Sequence, residues 1–178
     1  MRITHQLPNL FTAARLVATV PLVRRILSGR TGVGTAVGVA AWAATDWVDG
    51  RLARRMHWES VLGKALDPLA DRAGISAIAW SLASMKEIPW RVPITVLIGD
   101  ITTAALTSKA AYRGQLRVSS VGKIRSAILF VALVMAAAGP GKRGRLGRLP
   151  HAVADLGAVL HVLAGARYIR AAREVRGT

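Results

Sequence analysis

The stretch DWVDGRLARRMHWESVLGKALDPLAD, residues 46–71, holds five of the nine acidic residues in a chain of 178. Asp46 and Asp49 are three positions apart, and Asp67 and Asp71 are four apart. Because residues three and four apart share a helix face, each pair is predicted to lie on one face of a helix. Ionisable side chains inside apolar segments are costly, which makes this stretch the first candidate for a functional site.

Apolar segments of roughly membrane length surround the acidic stretch. The chain is 52% hydrophobic with a mean hydropathy of +0.37, which excludes a disordered basic tail. No segment has 18 uncharged residues in succession, so a soluble bundle of buried helices remains an alternative. The short connections favour the membrane because they are basic and nearly free of acids. We predict an all-α, polytopic integral membrane protein, one domain over residues 1–178, with six transmembrane helices at about Leu10–Leu27, Thr31–Val48, Val61–Ser84, Val92–Ser108, Val121–Gly139 and His151–Ile169.

The charge balance is strongly positive, with 25 Lys and Arg against 9 Asp and Glu. Nucleic acid and anionic lipid both attract such a chain, and the apolar content favours lipid, so no nucleic-acid partner is expected. With six spans, the side that carries both termini has 13 Lys and Arg and the other side has 9. The positive-inside rule therefore predicts a multi-pass protein of the cell membrane with cytoplasmic termini. The absence of cysteine excludes disulfides and thiol nucleophiles.

The segment Gly50–Ser60 is predicted to reverse the chain and to bring the two Asp pairs together at the cytoplasmic ends of the second and third helices. Four carboxylates so close repel one another unless cations lie among them. A site of oxygen ligands without His or Cys indicates a hard cation, Mg²⁺ or alternatively Mn²⁺ or Ca²⁺, and four Asp would fit two ions. Arg54 beside such ions indicates a diphosphate site. The structural alternative is that these Asp pair with neighbouring Arg and Lys.

Eight fixed positions of the stretch match the pattern D-x2-D-G-x2-A-R-x8-G-x3-D-x3-D. This is the signature of the CDP-alcohol phosphotransferase (CDP-alcohol phosphatidyltransferase) family, which the chain resembles over most of its length. The resemblance implies transfer of the phosphatidyl group of CDP-diacylglycerol to an alcohol, with release of CMP. It implies two Mg²⁺ ions (with Mn²⁺ as an alternative) on Asp46, Asp49, Asp67 and Asp71, and Asp71 as the general base. It leaves room for a homodimer.

The resemblance also implies contacts with both substrates. CDP-diacylglycerol would be bound by four residues of the signature and by one residue near the start of the chain. These are Gly50, Ala53, Arg54 and Gly63 of the signature, and Asn9. Asn9 belongs to the segment LPNLFTAAR, residues 7–15, which is similar to the P-N-x-x-T-x-x-R opening of bacterial phosphatidylglycerophosphate and cardiolipin synthases. The segment SSVGKIRS, residues 119–126, resembles S-x-x-G-K-x-K-T of the same branch.

Basic residues in and near the second of these segments would attract an anionic acceptor such as glycerol 3-phosphate, although membrane topology and anionic lipid explain the same charges. These residues are Lys109, Arg113, Arg117, Lys123 and Arg125. One position departs from the branch, because Gly99 precedes Asp100 where an Arg is usual. We expect Asp100 to bind a polar headgroup or to pair with Lys109 or Lys123, and the four His have no evident partner.

The departure at Gly99 keeps the acceptor open. A phosphatidylglycerophosphate synthase that uses glycerol 3-phosphate is the first interpretation. A cardiolipin synthase that uses phosphatidylglycerol is the second, and a phosphatidylinositol phosphate synthase is the third. A membrane cation transporter lined by carboxylates is the alternative from another class, since it too would carry intramembrane Asp residues.

Overall fold

The computed structural model describes the backbone of residues 7–56, 61–112, 120–139 and 145–174. Within these ranges it describes the side chains of residues 13–45, 72–106, 124–139 and 147–174. The described backbone forms helices and turns and no strand, which confirms the all-α prediction for this part of the chain. The helices are α1 (Leu7–Leu27), α2 (Val33–Met56), α3 (Val61–Ser84), α4 (Arg91–Tyr112), α5 (Ser120–Ala137) and α6 (Arg145–Glu174).

The core lies where α3 meets the helices around it. α1 packs against α2 and α3, α5 packs against α2 and α6, and α4 packs against α6 and more lightly against α3. Ile26, Ile78, Leu82 and Ile88 are at most 1% exposed. Alanines and glycines line many of the helix crossings, and small residues of this kind let helix backbones approach closely.

Large apolar side chains are exposed on every described helix except α3. Val17 on α1, Val33 on α2 and Ile101 on α4 are 71%, 78% and 60% exposed. Exposed apolar side chains continue along α5 and α6, whereas the described part of α3, residues 72–84, presents none of them. An apolar surface spread over five helices is unusual for a water-soluble monomer. By length and hydropathy, one helix of the described chain, over Gly147–Glu174, qualifies as a candidate membrane span, and Val33–Thr45 and Ile124–Ala137 are shorter apolar stretches.

The helix ends at the far side of the bundle from the signature are joined by specific contacts. Gly29, with φ of 71°, follows α1 in the left-handed conformation and donates its N–H to the carbonyl of Ile26 at 2.8 Å. Arg91 at the start of α4 donates from Nε to Oδ1 of Asp155 on α6 at 2.7 Å, and its second nitrogen donates to Oδ2 at 2.5 Å. This fork-shaped ion pair fixes the start of α4 against α6.

One boundary differs from the sequence prediction in a way that matters for the site. The chain reversal was expected to begin at Gly50, whereas α2 continues through Gly50 to Met56. That part of the prediction is wrong because a single glycine costs a helix only about 1 kcal/mol, and Leu, Ala, Arg and Met are good helix formers. The signature is therefore helical from Asp46 to Met56 and again from Val61 to Asp71.

Candidate active site

The signature aspartates lie on two consecutive helices. Asp46 and Asp49 are in the second half of α2, and Asp67 and Asp71 are in the first half of α3. Gly50, Ala53 and Arg54 lie on α2 and Gly63 lies on α3. The side chains of all these residues are outside the described part of the structure, so their metal and substrate contacts remain predictions.

A close contact next to the signature joins α2 to α3. Trp42 precedes Asp46 by four residues, and Gly74 follows Asp71 by three, so each lies on the face of its helix that carries the Asp pair. A Cβ built on Gly74 would lie 2.5 Å from Cζ2 of Trp42, which shows how tightly the indole packs on this glycine. This contact therefore brings α2 and α3 together next to Asp46 and Asp71.

Hydrogen bonds to α1 hold the indole in place. Nε1 of Trp42 donates to Oγ1 of Thr19 at 3.0 Å and to the carbonyl of Arg15 at 3.2 Å, and the Thr19 hydroxyl donates to the same carbonyl at 2.8 Å. Thr19 and Trp42 are 6% and 5% exposed. Arg15 ends the N-terminal segment that resembles the branch opening, so this segment supports the helix that carries Asp46. Asn9 lies on α1, with its side chain outside the described residues.

An apolar groove runs between α1 and α2 and ends beside the signature. Its volume is about 500 Å³, and Thr45, the residue before Asp46, lines it together with Trp42 and Arg15. The remaining lining residues are mostly apolar: Ala14, Ala18, Pro21, Leu22, Gly38 and Ala41. The groove faces the outside of the bundle, where α1 and α2 expose apolar side chains.

A small polar pocket lies on the other side of α3, one residue past the signature. Its volume is about 120 Å³, and Arg72, Ser76, Asp100, Arg125, Ser126 and His161 line it together with apolar residues of α3, α4 and α5. These polar residues come from four different helices, which explains why no single motif contains them all, although Arg125 and Ser126 belong to the segment 119–126. Nε of Arg125 is buried and makes no hydrogen bond with the described residues.

Asp100 is the centre of this pocket. Its Oδ1 lies 3.3 Å from Nε2 of His161 on α6, and its Oδ2 lies 3.8 Å from Nε of Arg72 on α3. Its described neighbours are therefore Arg72 and His161, and the expected partners Lys109 and Lys123 have side chains outside the described residues. The sequence showed no partner for His161, and the structure places it beside Asp100. The only sequence signal for this pair was the presence of an ionisable residue within each of two apolar segments.

The predicted acceptor-binding residues divide into two groups. Arg125 lies in the polar pocket. Lys109 lies on α4 and Lys123 on α5, with side chains outside the described residues, and Arg113 and Arg117 lie outside the described backbone. The described side chains, which do not include those of the signature, contain no group of three or more His, Cys, Asp or Glu that could hold a metal ion.

Comparison with known proteins identifies the class. The family model for CDP-alcohol phosphatidyltransferase matches residues 5–167. The match covers the signature, the polar pocket and all six described helices except the end of α6. The chain belongs to the CDP-alcohol phosphatidyltransferase family, which confirms the resemblance and makes it an enzyme of this class.

Its relatives include proteins from bacteria and plants. The chain is 30% identical to "Probable phosphatidylglycerophosphate synthase" of Mycobacterium tuberculosis, over 96% of this chain and 84% of the relative. It is 34% identical to CDP-diacylglycerol–glycerol-3-phosphate 3-phosphatidyltransferase 2 of Arabidopsis thaliana, over 72% of this chain and 63% of the relative. It is 31% identical to a cardiolipin synthase (CMP-forming) of Oryza sativa, over 72% of this chain and 44% of the relative. Phosphatidyl transfer in phospholipid biosynthesis, predicted from the signature, is thereby confirmed as the reaction class.

Proposed function

We propose that this enzyme transfers the phosphatidyl group of CDP-diacylglycerol to glycerol 3-phosphate and releases CMP. The observation that carries the proposal is the Trp42–Gly74 contact, which joins α2 to α3 beside the two halves of the family signature. The similarity to proteins named for the glycerol 3-phosphate reaction, over 96% of this chain in one case, supports the choice of acceptor.

The donor set fits a pair of hard cations. The faces of α2 and α3 that converge at Trp42 and Gly74 carry four carboxylates and no His or Cys, the ligand chemistry that Mg²⁺ and Mn²⁺ prefer. Asp46, Asp49, Asp67 and Asp71 would hold the ions, two per site. Bound Mg²⁺ would neutralise the diphosphate of the donor and the phosphate of the departing CMP.

The residues around the signature would bind the rest of the donor. Gly50 and Gly63 would leave room for the nucleotide to approach the helix backbones, and the small side chain of Ala53 would avoid obstructing it. Arg54 would bind phosphate. Asn9 would reach the same region from α1. The groove that ends at Thr45 would take an acyl chain, because it is apolar, open to the outer surface and adjacent to Asp46.

The polar pocket would hold the acceptor. Arg72, Arg125 and Asp100 line it, and these charged groups would bind the phosphate and the hydroxyl groups of a small polyol phosphate. Arg125 has a buried Nε without a described hydrogen-bond partner, and an acceptor phosphate would satisfy it. Lys109, Arg113, Arg117 and Lys123 would attract the anion from the cytoplasmic side.

The reaction then has one displacement. The acceptor hydroxyl oxygen attacks the phosphorus that carries diacylglycerol, the bond from that phosphorus to the oxygen of CMP breaks, and CMP leaves with that oxygen. Asp71 takes the hydroxyl proton. Carboxylates are weak bases in water, but at hydrogen-bond distance Asp71 needs to act only as the new bond forms.

The proposal places the chain, as a single domain over residues 1–178, in the cell membrane with six transmembrane helices and cytoplasmic termini. Apolar exposure on five of the described helices supports this arrangement. The signature ends of α2 and α3 would then lie at the cytoplasmic side, where soluble acceptor and CMP are available.

A panel of acceptors tests the proposed function. Detergent-purified protein with CDP-diacylglycerol and Mg²⁺ is incubated with glycerol 3-phosphate, phosphatidylglycerol, inositol phosphate or serine, and the lipid product is identified. We expect phosphatidylglycerophosphate from glycerol 3-phosphate. Cardiolipin from phosphatidylglycerol would establish the second candidate, which the missing Arg at Gly99 favours. Ion flux in proteoliposomes without CMP release would contradict the proposed enzyme activity and favour a cation transporter.

A further inference from the structure

His161 is a buried ionisable residue that the proposed reaction does not use. It lies on α6, inside the longest apolar helix of the described chain, and is 4% exposed. A histidine in such a position is costly unless it has a polar partner, and intramembrane ionisable groups commonly serve a functional site. Its Nε2 lies 3.3 Å from Oδ1 of Asp100 and makes no hydrogen bond of good geometry with the described residues.

The ring of His161 fills the space beside Gly99. A Cβ built on Gly99 would lie 2.9 Å from Cδ2 and 3.1 Å from Nε2 of this ring, so even alanine at position 99 would press on it. Gly99 and His161 are therefore complementary: the glycine leaves the space, and the histidine occupies it from another helix. The departure at Gly99 noted in the sequence has a structural counterpart on α6.

The two carboxylate oxygens of Asp100 have different neighbours. Oδ1 faces His161 and Oδ2 faces Arg72, so the carboxylate is held between α6 and α3. Without the histidine, Oδ1 would lose this neighbour, and the carboxylate would be free to rotate toward Arg125, which lines the same pocket and carries the opposite charge. An Asp that neutralised Arg125 would compete with an anionic acceptor for that side chain.

We propose that His161 is a positioning residue for acceptor binding: its ring occupies the space beside Gly99 and holds Asp100 away from Arg125, which leaves Arg125 available to a phosphate-bearing acceptor. The proposal rests on the proposed function, because it assigns the polar pocket to the acceptor. His161 touches no reacting atom and acts through Asp100.

The test separates acceptor binding from donor binding. KM for glycerol 3-phosphate, KM for CDP-diacylglycerol, kcat and the thermal midpoint are measured for H161A, H161Q and G99A, with H151Q as the matched control. His151 lies on the same helix, ten residues earlier, outside the polar pocket. We expect H161A to raise the acceptor KM by about tenfold or more, because Asp100 would then neutralise Arg125, with the donor KM within about twofold.

The other variants distinguish positioning from general packing. Glutamine can donate to Asp100 from its amide, so H161Q should restore the acceptor KM to within about threefold of wild type. G99A should raise the acceptor KM although His161 is still present, and the double variant G99A/H161A should be no worse than the worse single variant. Equal changes in the acceptor KM and the donor KM would overturn the proposal. It would also be overturned if the rise in acceptor KM among the variants only paralleled their fall in thermal midpoint.

The wild-type measurement distinguishes an error in the proposed acceptor from an error in the proposed role of His161. If wild type makes no lipid from glycerol 3-phosphate, the proposed acceptor is wrong, and the same variants are assayed with the acceptor that the panel identifies. An acceptor-specific loss in H161A would then support the role of His161 independently. An unchanged acceptor KM in H161A would overturn that role whichever acceptor is used.

Discussion

Replacing Gly74 by alanine is expected to reduce kcat by about 100-fold through a displacement of α2 relative to α3. The new Cβ would lie 2.5 Å from Cζ2 of Trp42, whereas ordinary contacts are 3.4–4 Å, so the two must separate by about 1 Å. The indole cannot swing away freely because Thr19 and Arg15 hold it by hydrogen bonds. A misplacement of about 1 Å between catalytic groups costs on the order of 100-fold in rate.

The assay is CMP release by protein purified in detergent, with thermal unfolding followed in parallel. Overpacking of this kind should lower the stability by about 1–3 kcal/mol, which leaves a folded protein to assay. G34A is the matched control on the same helix and outside the groove, because its Cβ would lie 3.3 Å from a guanidinium nitrogen of Arg25, the far end of a flexible side chain. We expect G34A to keep kcat within about threefold of wild type.

A second substitution tests whether the activity lost in G74A comes from the contact with Trp42 or from general destabilisation. Phenylalanine at position 42 lacks Cζ2 and Cη2, the two indole atoms nearest to the new methyl group. W42F should therefore restore part of the activity lost in G74A, although W42F alone gives up its two hydrogen bonds to α1. Wild-type kcat in G74A, or no relief in the double variant, would refute the view that this contact sets the spacing of the Asp pairs.

Three further predictions follow from the donor site. Asp67→Asn and Asp71→Asn should each abolish turnover while the protein still inserts into membranes, because asparagine cannot supply the carboxylate charge; full activity in either variant would refute its assigned role. Removal of divalent cations with EDTA should stop CMP release, and Mg²⁺ or Mn²⁺ should restore it; activity that survives EDTA would contradict a metal site. Ala41→Phe should fill the groove and raise KM for long-chain CDP-diacylglycerol more than for short-chain donor, whereas Ala40→Phe, exposed on α2 outside the groove, should not; equal effects would exclude the groove as the acyl site.

The helices were largely predictable because each contains a long apolar segment. The third predicted segment, Val61–Ser84, coincides with α3. α6 was harder, since it begins at Arg145 and ends at Glu174, beyond the apolar segment His151–Ile169 on both sides. Hydropathy marks the apolar part of a helix, whereas backbone hydrogen bonding continues into charged turns that are good helix formers.

The site was predictable only where it is local. The spacing of Asp46, Asp49, Asp67 and Asp71 within 26 residues placed them on two consecutive helices, and the structure agrees. The pairing of Asp100 with His161 was not predictable, because these residues lie on different helices 61 positions apart and belong to no common motif. Such contacts depend on how helices pack, and sequence periodicity reports which face is apolar but not which helix covers it.

The central claim is that the signature on α2 and α3 performs phosphatidyl transfer. The most direct measurement quantifies CMP and lipid product from CDP-diacylglycerol and glycerol 3-phosphate, for wild type beside Asp71→Asn. Wild type should release CMP and form phosphatidylglycerophosphate in equal amounts, and the variant should form neither. Wild-type protein that releases no CMP with any acceptor, or a variant as active as wild type, would contradict the account.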